Sequence, residues 1–153
     1  MSIVWKYLDK RSAVIAALKD YSVMQFIIAN TDDEIIVTQE EMSTPGSPLW
    51  DGMPKTLDPR AREERLVRGI DKIDVLRERY RQALEYMAWF CPAWQSLSEE
   101  EREVISEFYM VEEGSQLDAV YNICERFNIE RSSAYNKKNR ALNKLVGLLY
   151  GKE

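Results

Sequence analysis

The sequence predicts an all-α protein: a long antiparallel helical hairpin followed by a C-terminal helix-turn-helix. Three observations carry that prediction. Apolar residues recur every seven positions through two long stretches, a proline- and glycine-rich segment separates them, and Val120 to Leu149 reads as two amphipathic helices about a sharp turn. With 153 residues, 45% of them apolar and 31% charged, the chain has material for one compact domain or a small domain with an extension.

Val4 to Met42 contains neither proline nor glycine, and Tyr7, Val14, Tyr21, Ile28, Ile35 and Met42 stand seven apart, with Ala17, Leu18 and Met24 between them. Such a repeat marks a helix packing lengthwise on another helix. At ~1.5 Å per residue the rod is about 55 Å long, with Tyr21-Ser22 and Asn30-Thr31 as the places where a break is conceivable. Ser43 to Pro59 holds four prolines and two glycines and cannot sustain a helix. Its Leu49, Trp50 and Met53 are expected to fold back as a lid on the hairpin, the alternative being a contact for a partner protein.

A second helix is expected to start after Pro59 and run to Phe90. Leu66, Ile73, Tyr80 and Met87 stand seven apart, with Ile70, Leu76, Leu84 and Phe90 filling the seam. Arg60, Arg62, Arg65, Arg68, Arg77, Arg79 and Arg81 read as solvated residues paired with acids three and four positions away, a secondary phosphate-contacting surface being the alternative. Pro92 is expected to break this helix, with Trp89, Phe90 and Trp94 forming the joint between the hairpin and the C-terminal part. The division is therefore a hairpin over 1–92, with its loop at 43–59, and a helix-turn-helix part over 93–153.

Ser98 to Glu101 is a capping box for a new helix, and three glutamates in its first turn suit the positive end of the helix dipole. Val104, Ile105, Phe108 and Tyr109 form its buried face, and Glu112-Glu113-Gly114-Ser115 ends it. In the next helix Val120, Ile123, Cys124 and Phe127 share one face. Asn128 tolerates the left-handed conformation of a tight turn, and Ile129 anchors that turn. Ala134, Ala141, Leu142, Leu145 and Leu148 or Leu149 make the buried face of the last helix. Its outer face offers Ser132, Ser133, Tyr135, Asn136 and Asn139, side chains able to reach base edges in a major groove. Arg131, Lys137, Lys138, Arg140 and Lys144 are positive, and no acid stands between Arg131 and Leu149.

IERSSAYNKKNRALNKLVGLL resembles, without a gap, the recognition half of region four of bacterial sigma factors, and its RSSAY is similar to the form found in phage late transcription regulators of the ArpU type. LSEEEREVISEFY resembles the helix that precedes the motif in that family. The likeness covers roughly the last third of the chain. It implies a sigma-region-four-like helix-turn-helix that reads double-stranded DNA, and an origin in a phage or mobile element of a low-GC Gram-positive bacterium. Three departures bear on specificity and packing. Ser132 stands where the family usually has Glu and Asn136 where it has Gln, so a different DNA sequence should be read. Lys137 replaces an apolar residue, so its stem should snorkel over the core. The connection Val111 to Asp118 is also longer than the family's.

Net charge is −5, mildly adverse for a nucleic-acid binder, but the charge is segregated: Leu97 to Glu113 carries seven acids and one base, Arg131 to Leu149 five bases and no acid. Cys91 and Cys124 lack metal-ligand spacing, there is no His, and Cys124 reads as a small buried hydrophobe. No signal peptide and no apolar run of ~20 residues is evident, so a soluble, cytoplasmic protein is expected. No catalytic base, phosphate-binding glycine loop, activated nucleophile or metal motif is present, so neither an enzyme nor a cofactor is expected. The function expected is a sequence-specific double-stranded DNA-binding transcription regulator, with the hairpin as a candidate homodimer interface. Two alternatives stand beside it: an oligomeric assembly or packaging module carrying a helix-turn-helix, and a sigma-like adaptor that docks on RNA polymerase through Glu99 to Tyr109.

Overall fold

The computed structural model describes residues 8–43, 59–111 and 114–151. Among them the chain is all-α: α1 is Lys10–Ser43, α2 Pro59–Gln95, α3 Glu99–Ile105, α4 Gln116–Phe127 and α5 Arg131–Tyr150. The prolines and glycines expected to form the connecting loop, with Leu49, Trp50 and Met53, lie outside the described residues, as do Glu112 and Glu113.

Helix α1 opens on Asp9, whose carboxylate accepts the Ser12 amide N–H at 3.1 Å and its hydroxyl at 2.8 Å. Those two bonds hold the Asp9 carboxyl below its usual range. The helix then runs 34 residues without a break at either suspected position. Val14, Ala17 and Leu18 are buried, and further along the same stripe so are Thr31 and Thr38. A buried threonine is tolerated there because its hydroxyl donates back to the carbonyl one turn earlier: Thr31 to Ile27, and Thr38 to Glu34 at 2.8 Å.

Helix α2 starts with Pro59 in its first turn, where the missing N–H has no partner to lose. Its buried stripe is Gly69, Ile73, Leu76, Ala83, Phe90 and Ala93. This corrects the expected seam at three places: Leu66 is 38% exposed, Ile70 52% and Leu84 44%, while the small residues Gly69 and Ala83 face inward. The reason is close approach. A Cβ on Gly69 would overlap Cγ and Sδ of Met42, so α1 occupies the space a larger side chain would need.

Pro92 does not end α2, which continues to Gln95. The proline falls in the last turn, where its missing N–H leaves the Ala88 carbonyl without its usual donor, and the helix carries that one lost bond for three more residues. The Ser96 hydroxyl then donates to the Pro92 carbonyl at 2.8 Å and closes the end. Ser98 caps α3 as expected, its hydroxyl accepting from the Glu101 N–H while Glu101 accepts from the Ser98 N–H. Beyond Ile105 the backbone widens into a π-helical turn, Ser106–Met110, which the sequence pattern does not announce.

Two compact units emerge, Met1–Met24 with Glu85–Glu153, and Gln25–Leu84. The division differs from one at 92/93 because the ends of the two long helices share a core with the C-terminal helices. Val14, Leu18, Phe90, Ala93 and Leu97 pack with Ile105, Ala141, Leu142 and Leu145. Around Phe90 the rings of Tyr21, Tyr86 and Trp94 lie at centroid distances of 5.4, 5.3 and 5.7 Å. Trp89 meets Tyr150 edge-on at 5.6 Å, the aromatic joint expected around Pro92. A second core in the same unit joins Val104 and Phe108 to Ala119, Val120, Ile123 and Ala134, with Cys124, Phe127 and Ile129 against it.

By length and composition α1 is long and apolar enough to cross a membrane, contrary to the expectation that no stretch approaches that. Part of its apolar content is used within the fold, since Val14, Ala17 and Leu18 are buried.

Candidate nucleic-acid interface

Helix α4 is fixed at its start by a second capping box: the Ser115 hydroxyl accepts the Asp118 N–H at 3.3 Å, and Asp118 accepts the Ser115 N–H at 3.1 Å. It ends on Asn128 in the left-handed conformation, φ 53° and ψ 51°, with its N–H on the Cys124 carbonyl. That is the sharp turn expected from the sequence, with Ile129 packed beneath it. Glu130 then precedes α5 without a side-chain bond to it.

The buried stripe of α5 is Ala134, Lys138, Ala141, Leu142 and Leu145. Four of these are as expected, and Lys138 is the departure. It is 8% exposed, and its ammonium lies 5.0 Å from the Phe108 ring centre and 5.1 Å from that of Tyr135. Burial, and then the neighbouring Arg11 guanidinium, push its pKa down. Lys138 is therefore withdrawn from the phosphate contacts. Its place four residues after Ala134 and seven before Leu145 already puts it on the inward stripe; its charge alone suggests otherwise.

Arg131, Ser132, Ser133, Asn136, Arg140 and Asn143 form the exposed side of the same helix. Tyr135 is half-buried, its ring 6.1 Å from that of Phe108. Asn139 is half-buried too, and its Oδ1 accepts a hydrogen bond from Arg11 at 2.8 Å. Arg11 is not foreseeable at this site, because nothing in a linear reading ties the start of α1 to α5.

The acidic helix and the basic helix, far apart in charge, are partners in space. Lys137 sits 3.5 Å from Glu100, Lys144 3.0 Å from Glu101, and Arg126 of α4 2.6 Å from Glu103. Lys137 also places its ammonium 4.7 Å from the Phe127 ring centre, the snorkelling expected of a lysine at an apolar position. Burial raises the Glu101 pKa, but the bonds from Lys144 and Ser98 more than offset it, and the carboxyl is held below its ordinary value. Three of the acids expected to meet RNA polymerase, Glu100, Glu101 and Glu103, thus pair with α4 and α5. Among the described residues, Arg131 and Arg140 are the α5 cations with no ion pair or ring contact.

Comparison with family models, with curated proteins and with solved structures gives no match to this chain.

Proposed function

We propose that this chain is a cytoplasmic, sequence-specific double-stranded DNA-binding protein acting in transcription control, with the first three turns of α5 entering the major groove. One observation carries the reading: Arg131, Ser132, Ser133, Asn136 and Arg140 lie exposed along a helix that has no acid from Arg131 to Tyr150. Ser132, Ser133 and Asn136 are the base readers, and Asn136 can pair with both N6 and N7 of adenine. Arg131 and Arg140 reach flanking phosphates, while Lys137 and Lys144 exchange their glutamates for phosphates on binding. The resemblance to sigma region four and to ArpU-type regulators supports the same role and a phage or mobile-element origin. Selection from a random duplex pool tests it. A consensus should emerge, and affinity for it should fall with salt at a log–log slope of roughly −0.9 per phosphate contact. Duplex binding absent at low salt contradicts it.

A second reading is favoured by a different observation. In the unit Gln25–Leu84, Phe26 is 61% exposed and Ile36, Val37, Val67, Ile70 and Val75 each about half. That much apolar surface suits self-association, either the homodimer of a regulator or a larger assembly module. Mass in solution separates the two.

A further inference from the structure

Between α1, the end of the π-helical turn and α5 lies a cleft of about 620 Å³, within the size range of ligand sites. Arg11, Lys19 and Lys138 line it together with Ser22, Tyr109 and Gln116, and no acid is among its described lining residues. This is an unusual grouping in a chain of net charge −5, in which Lys137, Lys144 and Arg126 all have glutamate partners. Among the described residues Lys138 meets two aromatic rings, and Arg11 bonds two neutral groups, the Asn139 amide and the Tyr109 hydroxyl. A largely buried lysine beside a guanidinium, with no carboxylate among the described lining residues, is held at a cost that an incoming anion would relieve.

We propose that this cleft binds a small organic phosphate monoester. The three cations match its dianion, and the Ser22 and Tyr109 hydroxyls and the Gln116 amide can serve its remaining oxygens. Ile15, Leu18 and Met110 supply an apolar wall, and the volume leaves room for a nucleoside or sugar body beyond the phosphate. The site is also tied to the proposed reading helix: Arg11 donates to Asn139 of α5. A phosphate that draws Arg11 into the cleft releases the Asn139 amide, which makes the compound a candidate effector. The effector role rests on the DNA reading; the binding does not.

The test therefore uses the full chain without DNA. Calorimetric titrations are run with a nucleoside monophosphate, a hexose phosphate and inorganic phosphate, with the Asn139 side-chain amide followed by NMR. At least one organic phosphate should bind about tenfold or more tighter than inorganic phosphate, as one extra set of ligand contacts provides, and should move the Asn139 signal. Lys19→Ala, at an exposed position, and Lys138→Met should each weaken that binding about tenfold or more, the loss of one charge-assisted contact. Absence of heat with all three compounds would overturn the proposal. So would binding unchanged in both variants, inorganic phosphate binding as tightly as the organic compounds, or an Asn139 signal that stays still at saturation. Because no DNA is present, failure here leaves the DNA reading standing, and failure to select a DNA consensus leaves the cleft standing.

Discussion

The two compact units treat apolar surface in opposite ways. In Met1–Met24 with Glu85–Glu153, five helical segments meet around two cores, and Phe90, Leu142, Leu145, Ile105 and Ile123 are at most 1% exposed. Among the described residues of Gln25–Leu84 there are two helices; the buried stripe includes Gly69, Thr31, Thr38 and Ala83, while larger residues such as Phe26, Val67 and Ile70 remain outside. Two helices can cover one stripe on each other, whereas a second apolar stripe needs a third element. The difference teaches where each unit gets its order: the first from its own packed interior, the second from close helix approach, with apolar surface left for a further layer.

The largest expected effect breaks the first unit. Leu142→Ala should cost about 2–5 kcal/mol, since the side chain is fully enclosed. Phe26→Ala, at a 61% exposed position, should change monomer stability by no more than about 0.5 kcal/mol. Denaturant unfolding at low protein concentration measures both, and equal losses would remove the contrast between the units.

Next comes the seam of the second unit. Gly69→Ala should destabilise by about 1–3 kcal/mol through overlap with Met42, despite the better helix propensity of alanine. Adding Met42→Ala should recover most of that loss, a coupling read from a double-mutant cycle. A stabilised Gly69→Ala would mean that the helices do not approach closely there.

These seams show how far the sequence is legible. Seven-residue spacing locates α1 and α2, the Ser98 box locates α3, and Asn128 locates the final turn, because each signal is local and chemically specific. The seam of α2 is misread at Gly69 and Ala83 when size is the guide to burial, whereas a close crossing selects small residues. Pro92 reads as a stop because it removes an intrahelical donor, yet the helix tolerates one lost bond and runs on to Gln95. On α5, Ser132, Ser133, Asn136, Arg131 and Arg140 are where periodicity puts them, and so is Lys138 on the inward stripe, where its charge alone suggests otherwise; Asn139, Lys137 and Lys144 meet residues far along the chain that periodicity cannot see. The opposed charges of α3 and α5 read as segregation along the chain, yet they pair in the fold.

Lys138 gives a smaller effect of opposite sign. Removing the buried ammonium while keeping an unbranched stem, Lys138→Met should raise stability by about 1 kcal/mol. The folded pKa is depressed, by burial first and Arg11 second, so the unfolded chain binds more protons just below the ordinary lysine value of 10.5. Stability of the parent should therefore rise with pH from that depressed value up to 10.5, and Lys138→Met should lack this rise. Tyr109 and Tyr150, also shifted by burial, are present in both proteins and cancel in the difference. Parallel melts across alkaline pH with no divergence would contradict the assignment.

The smallest effect lies on the acid side. Glu101 has a folded pKa below its ordinary 4.5, so its pairing stabilises above that value and is lost as pH falls through the lower, folded one. Lys144→Ala should cost about 0.2–1 kcal/mol near neutrality and almost nothing once Glu101 is protonated. A loss independent of pH would point to packing by the lysine stem instead.

The exposed face of α5 is the centre of the proposed function, and Asn136→Ala questions it most directly. The variant and the parent are titrated against the selected duplex and against random duplex at one salt concentration, with melting temperature recorded for each protein. Groove reading predicts a loss of ~1–3 kcal/mol on the selected duplex, relaxed preference at one or two base pairs, and little change on random DNA. Unchanged affinity for both duplexes with unchanged melting temperature would contradict groove reading by this helix.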